Sequence, residues 1–242
     1  MARLPRIVVP GLPLHIIQRG NNRLPVFFAE EDYRYYLNTL TEASHRYGCA
    51  VHAYVLMTNH VHLLMTPEAS ESVSRCIQAL GRKYVRYIND SYGRTGTLWE
   101  GRFKSALVDT DRYLMACYRY IELNPLRADM VDGPDAYQWS SYRSNAMGHH
   151  DDLLTPHDKY IELGADSKAR QQAYRQFFSC SKEDSKLNII RDATQSGTII
   201  GNGMFKQEIA RMIKLRVARF EHGGDRKSRD FNEKKISSTL TP

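Results

Sequence analysis

Two histidines flank a single apolar residue in the run MTNHVHLLMTP, as His60-Val61-His62. On an extended strand, positions two apart point to the same face, so both imidazoles look the same way and supply two thirds of a metal site. Further along, the run DRYLMACYRYIELNP reads as a short helix carrying Tyr120 and, one turn later, Asn124. That pairs a candidate nucleophile with a candidate third ligand. The combination points to metal-assisted attack on a phosphodiester, an unreactive anion that needs its oxygens neutralised and its attacker aligned. A phenol attacks well only once it loses its proton, which a nearby cation assists. The resulting phosphotyrosine keeps the energy of the broken bond, so a hydroxyl can later reverse the attack without ATP. Imidazole suits Mn, Co, Ni or Zn better than Mg, so Mg would act through abundance and phosphate oxygens.

The elements that must position these groups can be read from periodicity. Leu14 to Arg19 reads as a strand that runs into the loop GNNR, and Glu30 to Tyr47 as a helix closed by Gly48. Cys49 to Met57 and His60 to Met65 form two strands about a tight Thr58-Asn59 turn. Ser72 to Asp90 is a helix with Val73, Cys76, Ile77, Leu80 and Tyr84 on one side and Arg75, Arg82 and Arg86 on another. A glycine-bearing loop, YGRTGTLWEGR, precedes a strand over Phe103 to Val108, and Thr110 or Asp111 caps the third helix. Strand, helix, hairpin, helix, strand is an α+β plan, ferredoxin-like or RRM-like, with an antiparallel sheet and helices on one face. Pro125 disfavours helical geometry at Asn124, which leaves Tyr120 and Asn124 on an exposed last turn, while Leu114, Cys117, Tyr118 and Ile121 form the packing stripe.

With 242 residues and 42% hydrophobic content, the chain can bury one substantial core plus an appended region. It has no secretory h-region and no apolar run of membrane-spanning length, so a cytoplasmic location is expected. Cys49, Cys76, Cys117 and Cys180 contain no Cys-x-x-Cys pair, which favours reduced buried thiols over a zinc knuckle or a disulfide framework. The net charge of +7 suits an anionic partner. Between Arg75 and Lys104, basic side chains far outnumber Asp90 and Glu100 and alternate with Tyr84, Tyr87, Tyr92 and Trp99. Phosphate contact and base stacking call for such a mixture.

Taken together, HIIQRGNNR, AYVLMTNHVHLL, LWEGRFKS, YRYIELNPLRADMV and WSSYRS resemble the single-tyrosine HUH transposases, specifically the bacterial REP-associated tyrosine transposases, over roughly residues 8 to 145. The resemblance implies a ferredoxin-like catalytic domain over residues 1–148 and a divalent metal, Mg2+ or Mn2+. It also implies single-stranded DNA beside a REP-like hairpin as partner, and a covalent 5'-phosphotyrosine intermediate. Carried over residue by residue, His60 and His62 match the metal ligands, Asn124 the third ligand and Tyr120 the nucleophile. Glu122 stands where many relatives have His. The implied setting is a bacterial cytoplasm, on the nucleoid when DNA is bound. DNA contacts are expected from Arg19, Asn21 and Arg23, from Arg82, Lys83 and Arg86, and from Trp99, Arg102 and Lys104.

Other histidines and tyrosines read as structural: His15 and His52 as packed histidines, Tyr113 and Tyr118 as decoys for Tyr120. Residues 149–220 read as a helical region, with helices over Ser167 to Phe178, Glu183 to Thr194 and Gly203 to Phe220. The last is basic, with Lys206, Arg211 and Lys214 placed to reach a DNA hairpin, while the segment as a whole could equally pack on the catalytic domain. His149, His150, Asp151 and Asp152 read as a polar loop, and residues 221–242 as a flexible tail. Two other functions use the same features: a silent nucleic-acid-binding protein with an RRM-like sheet, and a rolling-circle replication or mobilisation nickase. The LNPLRA segment and the lack of a second tyrosine motif favour the transposase.

Overall fold

The computed structural model describes residues 6–179 and 184–220. The expectations for Cys180, the Lys214 side chain and the tail from Glu221 lie outside the described residues. The elements follow the expected order: β1 (Leu14–Arg19), α1 (Glu30–Arg46), β2 (Cys49–Met57), β3 (His60–Pro67), α2 (Ser72–Ser91), β4 (Lys104–Val108) and α3 (Thr110–Glu122). Three short helices come next, α4 (Asn124–Arg127), α5 (Tyr142–Met147) and α6 (Asp158–Ile161). The chain continues through α7 (Ser167–Ser179), α8 (Asp184–Ser196), β5 (Ile199–Ile200) and α9 (Gly203–Phe220).

The sheet order is β2-β3-β1-β4-β5, ferredoxin-like through its first four strands, all antiparallel, with β5 added parallel to β4. Alternation along β1 assigns its faces. Gln18 lines a groove beside α2, whereas His15 meets side chains of α3 and α8. The ferredoxin-like plan puts helices on one face, a place taken by α1 and α2. The opposite face is covered too, because Ala53, Val55, Leu64, Ala106 and Val108 are apolar there and pack with Leu114, Cys117 and Ile121 of α3. Under α1 and α2, buried Asp32 accepts from the Phe28 and Ala29 amides (2.7 and 3.0 Å) and from the Tyr87 and Tyr92 hydroxyls (3.0 and 2.9 Å). One carboxylate thus starts α1 and ties it to the end of α2.

The described residues as far as Gly201 form one compact unit, and those from Asn202 a second. The helical region expected from residue 149 therefore divides. As far as Gly201 it belongs to the first unit, where Tyr160, Tyr174, Phe178 and Ile190 share one core with Tyr118. The second unit's helix α9 is preceded by Asn202, whose side-chain oxygen accepts from the Phe205 amide at 2.8 Å, and it exposes Lys206 and Arg211. Among the described residues, no helix is long and apolar enough to cross a membrane.

At the heart of the first unit, Glu122 is wholly buried and accepts hydrogen bonds from Ser141 (2.5 Å), Asn145 (2.8 Å) and Tyr174 (2.7 Å), joining α3 to α5 and α7. Its role is therefore structural. Burial pushes its carboxyl up to about 7, against the pull of those three donors. A raised carboxyl pKa favours the folded state while the group is protonated, so this contribution is complete below about pH 4.5 and is lost as pH rises to about 7. The loss is worth about 3 kcal/mol. Glu122→Gln should remove that fall, and urea unfolding of both proteins at pH 5 and pH 8 checks it. The buried histidines titrate alike in both proteins, so the difference isolates Glu122.

Candidate active site

The histidine strand is fixed from both sides. In the register of β3, His60 lies opposite Arg19 of β1 and Met57 of β2, and His62 opposite Ile17 and Val55. The tight turn before His60 is held by the loop after β1: the Gly20 amide donates to the Asn59 carbonyl at 2.8 Å, and the Val26 amide to that of Thr58 at 2.8 Å. Gly20 is required for this closeness. A Cβ there would collide with the Leu24 carbonyl and stand 2.7 Å from Val26.

Each imidazole of the pair engages its Nδ1. His60 Nδ1 lies 2.7 Å from Asn59 Oδ1, while Asn59 Nδ2 donates to the Arg23 carbonyl at 2.9 Å. Asn59 therefore presents its oxygen to His60, which keeps its proton on Nδ1 and leaves Nε2 with a lone pair. His62 Nδ1 lies 2.9 Å from Nε2 of His15, and the two rings stack with centroids 5.1 Å apart. Burial lowers the pKa of all three, to about 3 for His15, to about 4 for His60 (with Arg19 adding to the effect), and well below the usual value for His62. Neutral imidazole is the form that binds metals.

Helix α3 brings Tyr120 to the same place. Its ring stands edge-on to His62 at 5.7 Å and to His15 at 5.4 Å. The expected exposed last turn is instead covered: Tyr120 is only 6% exposed, because α3 ends at Glu122 and α4 folds back beneath it. From α4, Arg127 places its guanidinium 5.3 Å from the Tyr120 ring and donates to the Tyr120 carbonyl at 2.9 Å. Asn124 turns its Nδ2 onto the carbonyls of Tyr120 and Ile121 (2.8 and 3.2 Å), which leaves Oδ1 as its remaining acceptor. Imidazole Nε2 atoms and an amide oxygen are donors of the kind a divalent ion accepts. Among the described residues, no group of three or more His, Cys, Asp or Glu side chains is placed to hold a metal ion. The decoys separate cleanly, since Tyr118 is buried against Tyr160 and Tyr174, and Tyr113 packs at the edge of the same core.

His15 is a packed histidine, as expected, and wholly buried, but it also touches both His62 and Tyr120, a contact the sequence did not show. Its position two before Ile17, which pairs with His62, was the available signal, and it becomes usable once the β1–β3 register is known. His52 is structural as expected, held by the Thr155 carbonyl (2.7 Å) and the Thr66 hydroxyl (2.8 Å). His150 pairs with Asp152 and Asp151 accepts from Tyr54, so the acidic loop is a polar network.

The expected DNA-contacting residues divide between two sides of the sheet edge. A groove of about 740 Å³ is lined by Arg75, Arg82 and Arg86 of α2 together with Arg6, Arg102 and Phe103. Arg6 lies 3.6 Å above the Phe103 ring, and burial together with the like charge of Arg102 lowers its pKa. A second cleft holds Ile17, Arg19, Arg102, Lys104 and Gln195, and the loop that carries Arg102 borders both. Asn21 is half-buried, Arg23 exposed, and both sit on the loop that holds the histidine turn. Two expectations are corrected. Trp99 is 6% exposed, packed near Tyr36 and Tyr84, so its ring is not free to stack on a base. Lys83 faces α1, where it pairs with Glu42 at 2.6 Å, because the 100° step from Arg82 carries it off the groove side.

Residues 8–124, which contain β1 to α3 and every histidine, tyrosine and asparagine of this site, match the family described as Transposase IS200 like. Comparison with curated proteins gives no match. Among solved structures, a REP-associated tyrosine transposase bound to a REP hairpin is similar in fold, with a TM-score of 0.52 and 16% identity over 65% of this chain and 93% of that one. A structure assigned to a transposase of Deinococcus radiodurans R1 aligns at a TM-score of 0.34 and 19% identity, over 53% of this chain and 92% of that one. Residues 8–124 thus belong to the IS200-like transposase family, and the chain has the fold of a REP-associated tyrosine transposase.

Proposed function

We propose that this transposase cuts and rejoins single-stranded DNA next to a REP-like hairpin, through a 5'-phosphotyrosine on Tyr120 and with a divalent ion, Mg2+ or Mn2+, at His60, His62 and Asn124. The observation that carries the reading is the approach of the Tyr120 ring to within 5.7 Å of His62, on the face that also bears His60. When bound, the ion supplies Lewis acidity at the scissile phosphate. His60 and His62 offer Nε2, and Asn124 offers Oδ1. The phenol oxygen of Tyr120 forms a bond to phosphorus as the bond to the 3' oxygen breaks, and the phenolic proton passes through solvent to the released 3'-hydroxyl. Attack by a 3'-hydroxyl on the phosphotyrosine reverses the step and reseals a strand. Arg127 keeps a fixed positive charge beside the tyrosine while negative charge moves between phenol and phosphate. The groove under α2 and the cleft at Arg19 share Arg102 at the sheet edge. That continuity suits a strand running from a hairpin to the tyrosine. The similar solved structure, a REP-associated tyrosine transposase, holds such a hairpin.

Tyr120→Phe should lower cleavage on the order of a thousandfold or more and abolish the covalent adduct, with hairpin binding nearly unchanged, as read on denaturing gels and by anisotropy. An adduct at wild-type level in that variant would move the nucleophile elsewhere. Loss of cleavage is also expected for His60→Ala, for His62→Ala and for wild type in EDTA, with a milder loss for Asn124→Ala, where water replaces an amide oxygen. In a salt series, Arg82→Ala with Arg86→Ala should flatten the log-log binding slope by roughly 0.7 for each phosphate that the removed arginines neutralise. Lys83→Ala should leave the slope where it was.

A further inference from the structure

The Nε2 lone pair of His62 is decided well outside the segment shared with the family. Thr194, on α8, is wholly buried and donates its one hydroxyl hydrogen to the Ile190 carbonyl at 2.7 Å, the usual back-bond of a threonine inside a helix. With its hydrogen committed, Thr194 Oγ1 acts toward His15 only as an acceptor, and it lies 2.8 Å from His15 Nδ1. His15 must therefore carry its proton on Nδ1. Its Nε2 is then bare and accepts from His62, 2.9 Å away, which puts the His62 proton on Nδ1. His15 has no exposed surface, so water cannot substitute for either partner.

We propose that Thr194 and His15 are positioning residues for the proposed metal site: a one-way hydrogen-bond relay, anchored on the Ile190 carbonyl, that holds His62 in the tautomer whose Nε2 is free to ligate. The relay rests on the functional reading above for its purpose, though not for its existence. Ligating histidines commonly direct their second nitrogen to a carboxylate, a backbone carbonyl or water. Here a second imidazole takes that place, and an imidazole accepts or donates according to what lies behind it. The threonine is the element that sets the direction. Asn59 does the same for His60 in a single step, through its bond to the Arg23 carbonyl. Helix α8 is thereby part of the working site as well as part of the core.

Thr194→Val keeps the shape and removes the acceptor. A proton left on His15 Nδ1 would then be buried without a partner, so both rings should switch: His15 donates from Nε2, His62 accepts at Nδ1, and the His62 proton moves to Nε2. Thr194→Ser restores the hydroxyl and should restore the wild-type tautomer. Long-range proton–nitrogen NMR of the full, metal-free chain reads this directly, with His62→Ala for assignment. Mn2+ titration should show roughly ten- to hundredfold weaker binding for Thr194→Val and near-wild-type binding for Thr194→Ser. Proton on His62 Nε2 in wild type, or an unchanged tautomer in Thr194→Val, would overturn the relay. A switched tautomer with unchanged Mn2+ affinity would overturn its service to the site. A wild type that binds no Mn2+ counts against the proposed metal chemistry, while the tautomers still decide the relay.

Discussion

The antiparallel register of β1 on β3 is the constraint on which the site depends. It sets Arg19 against His60 and Ile17 against His62, and so places His15 on the diagonal to His62, within reach for long side chains. A slip of one residue would turn His15, Ile17 and Arg19 to the α2 side and bring Gln18 under α3. Several local features prevent that slip. Gly20 allows the loop to fold against the Thr58-Asn59 turn, two backbone bonds close it there, and the apolar set on each face suits only one register. The same register gives the sheet two working sides, with the histidines and Tyr120 under α3 and the arginine-lined groove beside α2.

Burial explains why the polar groups on the α3 side are so fully partnered. Imidazoles, a threonine hydroxyl and a carboxyl in a closed core each cost free energy unless their donors and acceptors are matched. Matching them fixes their direction. Asn59 and His15 each take the Nδ1 proton of one site histidine, and the two remaining lone pairs lie on one face of one strand. Glu122, two residues past Tyr120, satisfies Ser141, Asn145 and Tyr174 and locks the end of α3 to α5 and α7. The position of Tyr120 thus depends on helices that follow it in the chain.

What was legible in the sequence is what short-range periodicity encodes. The strands over Leu14 to Arg19 and Cys49 to Met57 have the expected limits, and α1, α2 and α3 begin within a residue or so of their signals. The comparison of helix faces that set Tyr120 apart from Tyr118 matches the structure, because the two are about 200° apart around the helix, which sends one ring against Tyr160 and Tyr174 and the other toward His62. Long-range pairing was hidden. In the pattern LHIIQR, His15 has the look of any buried polar residue, and its partners come from β3 and from α8, far along the chain. Trp99 and Lys83 were misread for a related reason: basic and aromatic residues alternate along that segment, but which of them face the groove depends on how α2 packs against α1 and on how the loop before β4 closes. Glu122 carried no local signal of its three donors, all of which arrive from later in the chain.

The central claim is that this fold delivers two Nε2 lone pairs and a phenol to a single point. Anomalous diffraction from crystals soaked in Mn2+ tests it most directly. The account predicts one strong peak bonded to Nε2 of both His60 and His62, on the side facing Tyr120, with Nδ1 of each ring still held by Asn59 and His15. No peak between the histidines, or an ion bound through Nδ1 of either ring, would contradict it.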